Sequence, residues 1–141
     1  LAVIIDCGEY DNIHPLDKQT VGYRLALQAL KKVYAKDIEA DGPVFSRAES
    51  AGSAMRLYFD NAQSGLEARG ELLGFEVAAV DGAYYPARAE ISGETVIVSS
   101  GLVAEPSRAR YAWYKLGPTP LYAKNGLPAM PFRTSRNEPV D

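Results

Sequence analysis

The chain has 141 residues, enough for one modest domain or two small pieces. Hydrophobic residues make up 47% and charged residues 23%, an ordinary globular composition, and the net charge of -3 leaves no basic footprint for nucleic acid. No apolar run approaches the ~20 residues of a membrane span, and the first residues lack the charged and apolar regions of a signal peptide.

Leu1 to Ile5 is a continuous apolar run ending at Asp6, as expected for a buried parallel strand covered on both faces. A strand already under way at Leu1 reads as part of a longer polypeptide. A loop follows from Cys7 to Leu16, and Asp17 is the expected N-cap of a helix. Val21, Leu25, Ala29 and Val33, with Ala26, Leu30 and Tyr34 beside them, form a wide apolar stripe on a helix ending near Lys36. Lys31-Lys32 and Lys36-Asp37 read as its solvated face and end. Gly22 lies inside at a cost of ~1 kcal/mol relative to Ala, which suggests a close backbone approach there. Residues 1–38 therefore read as a strand–loop–helix unit closing an α/β sheet.

From Gly42 onward the pattern changes to short strands and turns. Met55 to Phe59 alternates in character, and Gly74 to Val80 runs into Asp81-Gly82, a hairpin signal. Ala83 to Ile91 follows, with Pro86 marking an edge or bulge. Ser92-Gly93 is another turn, and strands are expected over Thr95–Ser99 and Ala109–Tyr114. The tail from Gly117 to Arg133 is an extended, proline-rich arm packed by Leu121, Tyr122, Leu127 and Phe132. Residues 39–141 thus read as an antiparallel β-sandwich-like domain, and the fold class as α+β.

The chain's only histidine, His14, sits in "EYDNIHP" with Asp11 three residues before it. An imidazole can take a proton from a hydroxyl, and a carboxylate on its other nitrogen fixes the tautomer. The loop also leaves the carboxyl end of the first expected strand, where α/β sheets place their active sites. Three other readings stay open. His14 can be a solvated residue at a helix start. Asp6, Glu9, Asp11, His14 and Asp17 can gather a metal ion, though their spacing matches no familiar loop. Cys7, the only cysteine and so unable to form an internal disulfide, can be a thiol nucleophile or a small buried side chain.

"DNIHP" followed by "KQTVGYRLALQAL" resembles the last block of the SGNH hydrolases, and more narrowly of the sialate O-acetylesterase family. "GFEVA", "ISGETVIVSS", "RYAWY" and "GLPAMPFRT", in that order, extend the resemblance over essentially the whole chain. It implies hydrolysis of O-acetyl esters on sugars, typically sialic acid, by a serine with His14 as general base and Asp11 as its orienting carboxylate. No metal or organic cofactor is implied. The family's nucleophile and oxyanion blocks precede the histidine block and do not occur here. Ser64 in "AQSGL" follows the histidine and reads as a turn serine.

The chain is therefore expected to be the C-terminal portion of such an esterase and inactive alone. It should bind the missing N-terminal portion, or self-associate, through Val3, Ile5, Leu25 and Leu30. The resemblance places the parent outside the cytoplasm, either secreted or periplasmic, or in the lysosome. The competing class is a carbohydrate-binding or scaffolding β-domain, because Tyr84, Tyr85, Tyr111, Trp113, Tyr114 and Tyr122 could stack on sugar rings. Tyr111 and Trp113 share one strand face, which is expected to be core. Arg133 and Arg136 could hold a sugar carboxylate or serve as surface or interdomain arginines.

Overall fold

The computed structural model describes residues 1–80 and 82–135. The expected first strand does not form. Residues 1–5 run irregularly, pair with no strand among the described residues, and leave Leu1 77% and Ile4 44% exposed. A central parallel strand needs a neighbour on each side to take its backbone groups. Here Val3 O instead accepts from the Arg24 guanidinium (2.9 Å), and the chain turns as Cys7 N–H bonds Ile4 O (3.1 Å).

Helix α1 spans Lys18–Lys32, with Asp17 at its N-cap accepting from Thr20 N–H (3.0 Å). It ends before Lys36 because Ala35 takes a left-handed φ of 50° and Lys36 N–H bonds back to Leu30 O (3.0 Å). The face it buries is not the apolar stripe. Leu25 is 56% and Val33 75% exposed, while Arg24 is only 6% exposed. Arg24, Gln28 and Lys31, spaced four and three apart, share one side of the helix. Gln28 donates to Ala40 O (2.6 Å) and Asp41 Oδ1 (2.8 Å), and Lys31 pairs with Asp41 (3.7 Å). A Cβ on Gly22 would touch nothing, so the expected close approach is not made within the described chain.

Among the described residues ten short strands follow: β1 (Val44–Ala51), β2 (Ala54–Asp60), β3 (Leu66–Ala68), β4 (Phe75–Ala78), β5 (Tyr85–Pro86), β6 (Arg88–Ser92), β7 (Thr95–Ser99), β8 (Arg108–Tyr111), β9 (Leu121–Ala123) and β10 (Phe132–Arg133). They form two four-stranded antiparallel sheets, in the orders β1-β2-β7-β6 and β10-β8-β4-β5, and a β3-β9 ribbon. One core draws on both sheets and the ribbon: Leu57, Val96 and Val98 meet Val77, Tyr111 and Phe132, closed by Leu66 and Leu121. Phe45 stacks on Phe132 with centroids 4.5 Å apart, and Phe75 tilts against Tyr111 at 4.6 Å.

The run expected over Ala83–Ile91 is split between sheets. β5 pairs with β4 and β6 with β7, and the chain crosses at Ala87, whose N–H bonds Phe75 O (2.9 Å). Pro86 lies in the edge strand of its sheet, where its missing N–H costs no ladder bond. Of the expected Asp81-Gly82 turn, Asp81 lies outside the described residues, and Gly82 N–H bonds Ala79 O (3.3 Å). The arm buries Leu121, Tyr122, Leu127 and Phe132. It crosses Gly42, where Met130 N–H bonds Pro43 O (3.0 Å) and any Cβ would run into the Pro128 carbonyl.

Candidate functional site

The loop between the first segment and α1 brings the functional candidates together. Glu9 closes it. Its carboxylate accepts from Leu16 N–H (2.6 Å) and from the Asn12 side-chain amide (3.1 Å). Asn12 Oδ1 in turn accepts from His14 N–H (2.9 Å), an Asx turn that fixes the backbone at the histidine. These bonds, led by that from Leu16, hold the Glu9 carboxyl below its ordinary 4.5. The sequence pattern puts Glu9 only among candidate metal ligands and gives Asn12 no role. The signal was the Glu–x–x–Asn–x–His spacing, which lets one carboxylate clasp both ends of a tight loop.

Asp11 and His14 are both exposed, and among the described residues no side-chain hydrogen bond or ion pair joins them. No serine hydroxyl hydrogen-bonds His14 among those residues either. Ser64 lies far along the chain in an exposed turn closed by Gly65 N–H to Ala62 O (2.8 Å). The remaining acids are engaged separately: Asp17 caps α1 and Asp6 faces the helix. No three metal-ligating side chains converge among the described residues.

Beneath the loop lies a network that sequence reasoning did not find. Arg24 makes a two-pronged pair with Asp6, Nη1 to Oδ1 and Nη2 to Oδ2 (2.8 Å for the second). Tyr122 of β9 donates its hydroxyl to Asp6 Oδ2 (2.8 Å). Burial works to raise the Asp6 carboxyl, but the bonds from Arg24 and Tyr122 outweigh it and leave it below its ordinary 3.8. Burial and the Asp6 bond push the Tyr122 phenol up to about 12. Arg69 lies over the Tyr122 ring (3.9 Å). The network thus ties the first segment, α1 and the β-region together. Cys7 is buried beside it with Arg24 Nη1 at 3.5 Å from its sulfur, and burial pushes the thiol up, away from the reactive thiolate.

The aromatic candidates separate. Tyr111 is buried and accepts from Leu121 N–H through its hydroxyl (2.9 Å). Trp113 does not share its face. β8 ends at Tyr111 because Ala112 takes a left-handed φ of 51°, so the alternation breaks and Trp113 turns out, half-buried, with Arg133 over its ring at 5.2 Å. Tyr84 lies under Arg110 (4.2 Å), Tyr85 and Tyr114 are exposed, and Tyr122 is buried. Arg136 lies outside the described residues.

No family model matches the chain, and no curated protein matches it. Among solved structures, it is similar to a carbohydrate acetylesterase from Xanthomonas citri, at 41% sequence identity and a TM-score of 0.89 over 96% of this chain. The match spans 32% of that enzyme's chain, about a third of its length. The likeness therefore covers nearly the whole of this chain and about a third of that acetylesterase. Among the described residues, no helix is long and apolar enough to cross a membrane.

Proposed function

We propose that this chain is the C-terminal portion of a serine-type carbohydrate O-acetylesterase, of the SGNH hydrolase superfamily and close to the sialate O-acetylesterases. The observation that carries the reading is the clamped, exposed loop bearing Asp11 and His14 in a chain 41% identical to a carbohydrate acetylesterase. In this reading residues 1–38 belong to the catalytic domain and 39–141 form the β-domain behind it. The nucleophilic serine lies on polypeptide outside this sequence. His14 takes the serine proton as the hydroxyl attacks the acetyl carbonyl, then returns it to the departing sugar oxygen. It next takes a proton from water, which attacks the acetyl-serine, and gives that proton to the serine oxygen as the acyl bond breaks and acetate leaves. Asp11, three residues away in the same loop, turns onto the imidazole and holds its tautomer. The substrate is an O-acetylated sugar, sialic acid foremost, and the enzyme works outside the cytoplasm or in the lysosome.

The exposed apolar side of α1, with Leu25, Leu30 and Val33, and the Leu1–Ile5 segment form the surface on which the upstream polypeptide docks. The test is acetate release from an aryl acetate and from an O-acetylated sialoside. It compares the chain alone, the chain mixed with its upstream polypeptide, and both with His14→Ala. Activity only in the mixture, reduced by several powers of ten in His14→Ala, is the expected result. Activity in the isolated chain would place the nucleophile within it. Silence in both would leave the chain a non-catalytic carbohydrate-binding or scaffolding module.

A further inference from the structure

Away from the His14 loop, the open side of the β-region carries a cleft that the catalytic reading does not use. It runs along the edge strand β1 and has two adjoining parts, of about 850 Å³ and about 440 Å³, which share Phe45, Ser46 and Thr134 as lining residues. Neither part is lined by a residue of the 9–16 loop.

Two backbone irregularities border this cleft. In β1 the register shifts between Phe45, opposite Phe59, and Arg47, opposite Tyr58. Ser46 is therefore an extra residue in a β-bulge, exposed and lining both parts of the cleft. Across the cleft, Ala112 holds a left-handed φ of 51° without being glycine, which ends β8 and directs Trp113 out of the core to line the second part. A left-handed alanine costs on the order of 1 kcal/mol, and such strain persists where the surrounding structure imposes it, often at functional sites. The two irregularities, on different sheets, converge on one cleft.

The lining mixes apolar, hydroxyl-bearing and charged residues, Arg47 and Glu105 among the last. Phe45 and Ala48 supply apolar surface, Ser46 and Ser107 line it, Thr134 lines both parts with its hydroxyl accepting from Ala109 N–H (3.0 Å), and Trp113, with Arg133 over one face of its ring, lies at one end. A pyranose ring has a C–H face that stacks on aromatic and apolar surface, and a hydroxyl edge that hydrogen-bonds to small polar side chains. We propose that this cleft binds a pyranose oligosaccharide, as a glycan-holding subsite distinct from the His14 loop. The choice of a sugar over a peptide rests on the carbohydrate esterase reading above.

The test uses this chain with cellohexaose, mannohexaose and chitohexaose as probes. Binding is followed by calorimetry and by the fluorescence of Trp113, the only tryptophan present. The expected result is saturable binding of at least one probe with a change in Trp113 emission. Trp113→Ala and Ser46→Arg should each weaken it at least about tenfold. Should Trp113→Ala fail to fold, Ser46→Arg, at an exposed position, carries the test. Absence of binding by all three probes, or binding unchanged in Ser46→Arg, overturns the proposal. So does an extended peptide that protects the β1 edge amides where the sugars bind nothing. Sugar binding and acetate release are separate readouts. Loss of the first with His14-dependent release intact removes only the cleft, and the converse removes only the catalytic reading.

Discussion

Asp6 answers to three groups at once: the Arg24 guanidinium, the Tyr122 hydroxyl and the Cys7 thiol. Its carboxyl is held below its ordinary value in the folded chain, so the folded state binds its proton less readily than the unfolded state does. The stabilisation is therefore present above the ordinary carboxylate range and is lost as pH falls through the folded value. Urea unfolding followed from neutral pH down to about pH 3 should show this loss, and Asp6→Asn should flatten it. Tyr122→Phe removes one hydrogen bond but leaves the Arg24 pair, so it should lower stability by about 1 kcal/mol in the same assay. Cys7, buried and with its thiol pushed up, should react with a disulfide reagent far more slowly in the folded chain than in urea. Cys7 and Ser64 could be placed from the sequence because each needs only local information: a lone cysteine at a segment end, a serine in a Gly-containing turn. Asp6 could not, because its partners lie 18 and 116 residues away.

At the scale of elements, α1 began where its cap residue said it would, and β7 matched its expected span of Thr95–Ser99, since a short run of β-branched residues behind a Ser-Gly turn is a strong local signal. β1 went unnoticed. Its sequence, VFSRAESA, is half polar and does not alternate, because as an edge strand it turns little of itself to the core, and it pairs through β2. Backbone demands decide other junctions. Gly42→Ala places a methyl against the Pro128 carbonyl, so the arm must move. The expected cost is about 1–3 kcal/mol, read from the thermal midpoint. Asp17→Ala strips α1 of its cap, and a loss of helical circular dichroism at the onset of melting should report it.

The whole molecule is a β-region with one packed core and a helical flank whose apolar side has no cover among the described residues. Leu25, Leu30, Val33 and Tyr34 of the α1 segment stand exposed together with Leu1 and Ile4. Sedimentation at rising concentration should show self-association of the isolated chain, and Leu25→Glu with Val33→Lys should abolish it. Because both residues are already exposed, the double variant should keep its stability to within about 0.5 kcal/mol for each change. A monomer at all concentrations would mean that this surface is not adhesive and would weaken the docking role proposed for it.

The apolar stripe of α1, the turn-rich β-region, the buried arm and the Asp11–His14 loop are all legible in the sequence, because each rests on spacing within a few residues. The role proposed for His14 comes from the family resemblance, because the Asp–x–x–His spacing by itself fits a solvated loop residue as well. What lies on the other side of each element was decided only in three dimensions. Residues 1–5 carry a strand's composition, but no strand pairs with them among the described residues. The helix turned Arg24 inward because a carboxylate and a carbonyl in the first segment were in reach of its guanidinium. Trp113 left the core because one alanine took a left-handed turn. Periodicity records which faces of an element are apolar, whereas the partner that covers a face is set by contacts between distant parts of the chain.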